Sequence, residues 1–162
     1  MTQLTFRALA DPTRRDILQM LTTRDMTIAE VSDQFDITRP EIERVIAAFY
    51  ARIREHPGLG PVFAAHVTDW PKHEAKIAGF WANAILYERS YDGNPLLVHR
   101  QAGNVHPGMF DTWLALFDSI LRAELNDQQS AAWSALAHNI GRSLRAGVVE
   151  KTKNTDGIPI LR

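Results

Sequence analysis

Residues 36–50 read DITRPEIERVIAAFY, and two different structures lay claim to them. Thr38-Arg-Pro-Glu41 is a capping box with proline in the first turn, a combination that opens a helix near Pro40. From there Ile42, Val45, Ile46, Phe49, Tyr50 and Ile53 recur at helical spacing and form one apolar stripe. The first turns look like the start of a DNA-reading helix, whereas the Phe-Tyr pair near the other end suits a cofactor pocket. One helix cannot easily serve both.

Downstream, His56-Pro-Gly-Leu-Gly-Pro61 breaks that helix, and a loop with a short helical turn is predicted next. From about Pro71, His73, Ile77, Phe80, Trp81 and Ala84 recur on one face of a long helix, with Lys72 and Lys76 beside them. Tyr91-Asp-Gly-Asn-Pro95 is turn chemistry, followed by a short segment carrying Leu96, Leu97 and His99 that ends at Gly103-Asn104. His106-Pro107 opens a helix with Phe110, Trp113, Leu114, Phe117 and Leu121 on one side. Asn126 caps a last helix carrying Trp133, Leu136, Ala137, Ile140 and Leu144. Residues 150–162 are polar and include Gly157 and Pro159, so a flexible tail is expected there.

Upstream, Asp11-Pro12 is a cap and first-turn pair, and Thr27-Ile-Ala-Glu30 is a capping box opening a second short helix. No strand pattern or internal repeat competes, so the fold class is all-α. The expected organisation is a helical extension over 1–36, a domain over 37–149 and the tail.

The totals narrow the function. A chain of 162 residues with 45% hydrophobic side chains accommodates one well-cored domain and a small appendage. With 18 basic and 19 acidic side chains there is no overall field toward nucleic acid or an anionic membrane. The absence of cysteine removes disulfides, thiolate metal sites and covalent haem attachment. Neither a signal peptide nor an apolar span is present, so a cytoplasmic location with no membrane contact is the expectation.

Six histidines are available. His56, His66, His106 and His138 sit in turns, loops or beside polar helix positions and read as surface or capping residues. His73 and His99 instead lie among apolar or aromatic residues, although either alone would suit a structural role. The aromatic groups Phe49 with Tyr50, Phe80 with Trp81, and Phe110 with Trp113 and Phe117 exceed what a core of this size normally collects. A flat apolar ligand with polar atoms at its centre would account for them.

Four phrases, AAFYARIREHPGLGPVF (47–63), DWPKHEAKIAGFW (69–81), YDGNPLLVHR (91–100) and FDTWLALF (110–117), make residues 37–148 resemble a group III truncated haemoglobin. The resemblance implies a shortened globin fold, two helices crossed over two, around non-covalent haem b (iron protoporphyrin IX). It implies that His99 is the proximal iron ligand, in keeping with neutral imidazole as the usual globin ligand. It places Tyr50 and Trp113 on the distal side as hydrogen-bond donors to a bound ligand, with His73 as a further donor or a gate. Phe49, Phe63, Ile77, Phe80, Trp81, Phe110 and Phe117 would line the haem slot, while Lys76 and Arg100 would pair with the propionates. Trp70 reads as a packing residue at the start of the distal helix. The ligands implied are dioxygen, nitric oxide and carbon monoxide, with oxygen transport or, given an unidentified reductase, chemistry on nitric oxide or peroxide.

FRALADPTRRDILQML and TIAEVSDQFDITRP, within residues 6–40, resemble the opening helices of an ArsR-type winged helix repressor. The resemblance ends where a recognition helix would begin. Glu41 and Glu43 occupy the presumed base-reading turn, and residues 1–45 hold six basic against eight acidic side chains, so phosphate attraction is missing. The front segment is therefore expected to pack on the globin or on a second subunit, with a homodimer as one outcome. The alternative function is a haem-linked transcription regulator, and the blandest one a helical bundle without cofactor.

Overall fold

The computed structural model describes residues 36–156, so the helices expected from Asp11-Pro12 and Thr27–Glu30, and any dimer contact made by them, lie outside the described residues. Six helices follow in order: α1 Arg39–Glu55, α2 Gly60–Ala64, α3 Trp70–Leu86, α4 Pro95–Ala102, α5 Gly108–Glu124 and α6 Asp127–Asp156. Among the described residues there is no strand, and no helix is long and apolar enough to cross a membrane.

Local chemistry sets the helix ends. The Thr38 hydroxyl accepts from the Glu41 amide at 3.4 Å, and the Glu41 carboxylate accepts from the Thr38 amide at 2.8 Å. That backbone bond holds the Glu41 carboxyl below its ordinary range, with weaker help from the Thr38 hydroxyl, Gln129 and Arg44. At the other end of α1, His56 Nδ1 accepts from the amides of Gly58 and Leu59, both at 3.0 Å, and closes the helix in the turn the breakers dictate. Asp69, Asn94 and Asn126 each accept from the amide three residues on, at 3.1, 3.0 and 2.9 Å, and so start α3, α4 and α6. Gly103 ends α4 at φ +80°, a left-handed conformation that glycine adopts without penalty.

Packing follows the apolar stripes. α1 lies along α3, α5 lies along α6, and α1 crosses α5, so two helices sit over two. One continuous core joins them, with Ile42, Val45, Ile46, Phe49 and Ile53 from α1, Trp81 and Ala82 from α3, Phe117 and Leu121 from α5, and Trp133 and Leu136 from α6. Burying a large apolar side chain contributes about 1.5–3 kcal/mol, so α1, with five such residues, is the principal anchor. Gly79 brings α3 against the segment after it. A Cβ there would sit 2.7 Å from the Ser90 carbonyl oxygen, and the Ser90 hydroxyl donates to the Gly79 carbonyl at 2.7 Å.

α4 is held differently. None of its residues is buried, and Leu97 and Val98 are 48% and 51% exposed. It rests on α6, where Leu96 lies against Gly147 and the Arg100 Nε donates to the Gly147 carbonyl at 3.1 Å. α6 continues past Glu150 to Asp156. Polarity alone does not stop a helix: residues 150–156 contain no glycine or proline, and the next glycine after them is Gly157.

Candidate functional site

The chemistry-bearing residues fall into two groups, one on the α1–α3 side and one on α4. On the first side the Tyr50 ring, 3% exposed, is ringed by aromatics: His73 at 4.9 Å, Phe49 at 5.2 Å, Phe63 at 5.7 Å and Trp70 at 6.1 Å between centroids. Helical spacing explains the grouping, since Phe49 and Tyr50 share the stripe of α1, and Trp70 and His73 are one turn apart on α3. The Arg54 guanidinium lies 4.8 Å above the Trp70 ring and covers this cluster from the solvent side.

Electrostatics keep both polar tips of this cluster uncharged. Burial pushes the Tyr50 phenol well above its ordinary range, and the Glu74 carboxylate adds to the shift. His73 is moved the other way, first by burial and then by the Lys76 ammonium, so its imidazole is neutral at pH 7. The His73 Nε2 is buried and has no hydrogen-bond partner. A buried nitrogen of that kind costs stability unless something pairs with it.

Phe49 links this cluster to α5. Its ring meets Trp113 at 5.1 Å and Phe117 at 5.1 Å, both edge-on. Trp113 stacks on Phe117 at 5.0 Å, and Phe117 in turn stacks on Trp81 at 5.7 Å, with Trp133 edge-on beneath both. Phe80 faces Trp81 and Tyr91, and Ile77 is partly buried against the core.

His99, on the lightly packed α4, forms the second group with Phe110, whose ring centroid is 5.8 Å away and which lies one turn before Trp113. The His99 Nδ1 is 2.6 Å from the Pro95 carbonyl oxygen. A carbonyl only accepts, so Nδ1 carries the hydrogen and the neutral ring keeps its lone pair on Nε2. This is how a protein prepares an imidazole to bind a metal through Nε2. No group of three or more His, Asp or Glu side chains among the described residues is placed to cage a metal.

Several expected members stand apart from these groups. Lys76 is exposed, and Arg100 Nε is engaged with Gly147. Among the other histidines, His138 Nε2 is 2.7 Å from the Asp118 carboxylate and His66 Nε2 is 2.8 Å from the Asn104 Oδ1. The sequence gives Trp70 only a packing role, places Asn104 only at the end of a short segment, and assigns no site role to Arg54. Trp70 shares the α3 face with His73, a spacing that could have found it, whereas Asn104 reaches residue 62 only through the tertiary fold.

A two-over-two helical sandwich, with a histidine on a short fourth helix and a tyrosine-bearing first helix, defines a truncated globin. Comparison with known proteins places it further. The chain is 32% identical over 96 residues to the Group 3 truncated hemoglobin ctb of Campylobacter jejuni, covering 57% of this chain and 76% of that protein. The crystal structure of group III truncated hemoglobin from Campylobacter jejuni superposes with a TM-score of 0.67 at 29% identity, over 69% of this chain and 91% of that one. The chain belongs to the group III truncated haemoglobin family.

A helix-turn-helix domain model also matches residues 9–47. The Transcriptional repressor SdpR of Bacillus subtilis is 46% identical over 37 residues, which span 23% of this chain and 41% of the repressor. The helix-turn-helix match runs into the first half of α1, so the claim of two structures on residues 36–50 is real at the level of sequence.

Proposed function

We propose that residues 37–149 form a globin domain that binds haem b without covalent attachment and, at its iron, dioxygen, nitric oxide and carbon monoxide. The observation that carries this reading is the His99 Nδ1–H bond to the Pro95 carbonyl, which leaves Nε2 as a metal ligand. The partnerless His73 Nε2, buried beside Tyr50, fits the same group, because a diatomic ligand in the distal space would give it a partner. His99 would hold the haem through Nε2, and the bound haem would supply an iron centre able to take up a small ligand.

The chain's own residues do the rest. Tyr50 and Trp113 are the hydrogen-bond donors, both positioned by Phe49, and the neutral His73 adds a third polar tip. Phe49, Phe63, Ile77, Phe80, Trp81, Phe110 and Phe117 supply the apolar walls that keep water out, and Lys76 and Arg100 supply positive charge for the propionates. A hydrogen bond to a partly charged ligand is worth about 1.5–3 kcal/mol, so two donors predict slow dioxygen release. Slow release favours chemistry on nitric oxide or peroxide, with electrons from a separate reductase, over bulk oxygen transport.

The test is spectroscopic. The purified chain with added hemin should give a Soret band that shifts on reduction and again with carbon monoxide. His99→Ala should lose haem or hold it weakly. A parent chain that takes up no hemin would refute the proposal.

The helix-turn-helix match gives a second reading, a haem-linked DNA-binding regulator. The geometry of α1 weighs against it. Ile42, Val45 and Ile46 are 0–1% exposed within the globin core. On the outer face Arg39 pairs with Glu43 at 3.1 Å and Glu88 at 2.8 Å, and Arg44 pairs with Glu124 at 3.1 Å. Phosphates would meet arginines already matched by carboxylates. A mobility-shift assay at low salt decides, and salt-dependent retardation of a DNA fragment would establish the second reading.

A further inference from the structure

The segment after α1 and the turn after α4 are joined through one side chain. Asn104, which follows the glycine that ends α4, donates through Nδ2 to the Val62 carbonyl at 3.3 Å, and its Oδ1 lies 2.8 Å from the His66 Nε2. The first bond decides the polarity of the second. With the amide nitrogen committed to a carbonyl, Oδ1 faces the imidazole and can only accept, so the His66 Nε2 carries the hydrogen. The chain of donors runs from His66 to Asn104 to Val62.

Its position gives this chain of bonds a consequence. Val62 precedes Phe63, whose ring is 5.7 Å from Tyr50 and 6.2 Å from His73. Asn104 follows His99 on the far side of Gly103, where α4 ends. The Asn104 side chain therefore ties the tyrosine side of the site to the histidine side. α4 buries none of its residues, so its placement rests on such ties more than on an apolar face.

We propose that His66 and Asn104 form a clasp across the edge of the haem slot and act as positioning residues that slow haem loss. This rests on the haem reading above. A flat ligand held between the two sides leaves only when they part, and parting them at this edge breaks the bonds of Asn104. A net hydrogen bond of ordinary strength corresponds to about a twofold to tenfold change in rate.

The experiment uses the full chain and two readouts. Hemin transfer to an excess of apomyoglobin should be about twofold to tenfold faster from His66→Ala and Asn104→Ala than from the parent. The double variant should match Asn104→Ala, because every bond of the clasp passes through that side chain. His66→Gln, which keeps an N–H donor, should recover most of the parental rate. In the haem-free proteins, amide hydrogen exchange over 62–67 and 103–107 should be faster in Asn104→Ala than in the parent. Unchanged hemin transfer from Asn104→Ala, or unchanged exchange in those segments, overturns the clasp. Failure of the parent to take up hemin would overturn the haem reading and the retention role together, and the exchange comparison would show separately whether the bonds exist.

Discussion

Replacing His73 with leucine should stabilise the haem-free protein while removing a group useful to the loaded one. The parent buries the His73 Nε2 without a partner, and an unpaired buried polar atom costs about 1–3 kcal/mol. Leucine removes that cost and fills a similar volume against Tyr50, Phe63 and Trp70. It also forfeits the edge-on contact with Tyr50 at 4.9 Å, a pair of the kind worth about 0.5–1.5 kcal/mol. The net gain at pH 8 should be about 1 kcal/mol, the difference between those two ranges. The gain should widen in acid. Burial and Lys76 lower the His73 pKa in the folded chain below the 6.5 of the free side chain, so below that pH the unfolded chain binds a proton that the folded one resists. Stability contributed by the neutral ring is complete above pH 6.5 and is lost as pH falls through the folded value. Urea unfolding of both haem-free proteins at pH 8 and pH 5.5 measures this, with a higher midpoint and an unchanged slope expected for His73→Leu. A variant less stable than the parent at pH 8, or one that keeps the parental loss toward acid, would refute the reasoning.

Tyr50→Phe should speed dioxygen dissociation by about tenfold, measured by stopped-flow mixing of the ferrous protein, because it deletes one donor worth about 1.5 kcal/mol or more. An unaltered rate would mean that the phenol does not reach the ligand. Gly79→Ala should destabilise the fold by about 1–3 kcal/mol in a thermal melt, since its Cβ would press on the Ser90 carbonyl, a backbone atom that cannot swing aside. A parental melting temperature would show that the 87–94 segment yields freely.

The helices were legible because their punctuation is local. Thr38 and Asn126 announce helix starts by residue type, and each makes the bond its type predicts. The apolar stripe of α1 was equally plain, and all six of its expected members are buried. The end of α6 is less legible, because a polar stretch without glycine or proline continues a helix without any local signal of where it stops. Residue identity at the site came through the family resemblance more than through pattern. Nothing in YDGNPLLVHR says that the His99 Nδ1 finds the carbonyl of Pro95, although a spacing of four on a helix permits it. Arg54 over Trp70 and Asn104 on Val62 were out of reach for another reason, since both contacts are made by the tertiary fold between segments with no shared periodicity.

α1 runs unbroken from Arg39 to Glu55, and the helix-turn-helix match stops at Ala47, three positions short of Tyr50. Because an α-helix advances about 100° and 1.5 Å per residue, the place where the helix-turn-helix similarity ends has a fixed phase relative to the rest of α1. One amino acid inserted after Ala47 would swing the phenol roughly a quarter-turn out of register with everything upstream. A helix shared in this way tolerates exchange of side chains at its exposed positions far better than a change of length, because length alone sets which residues face the core.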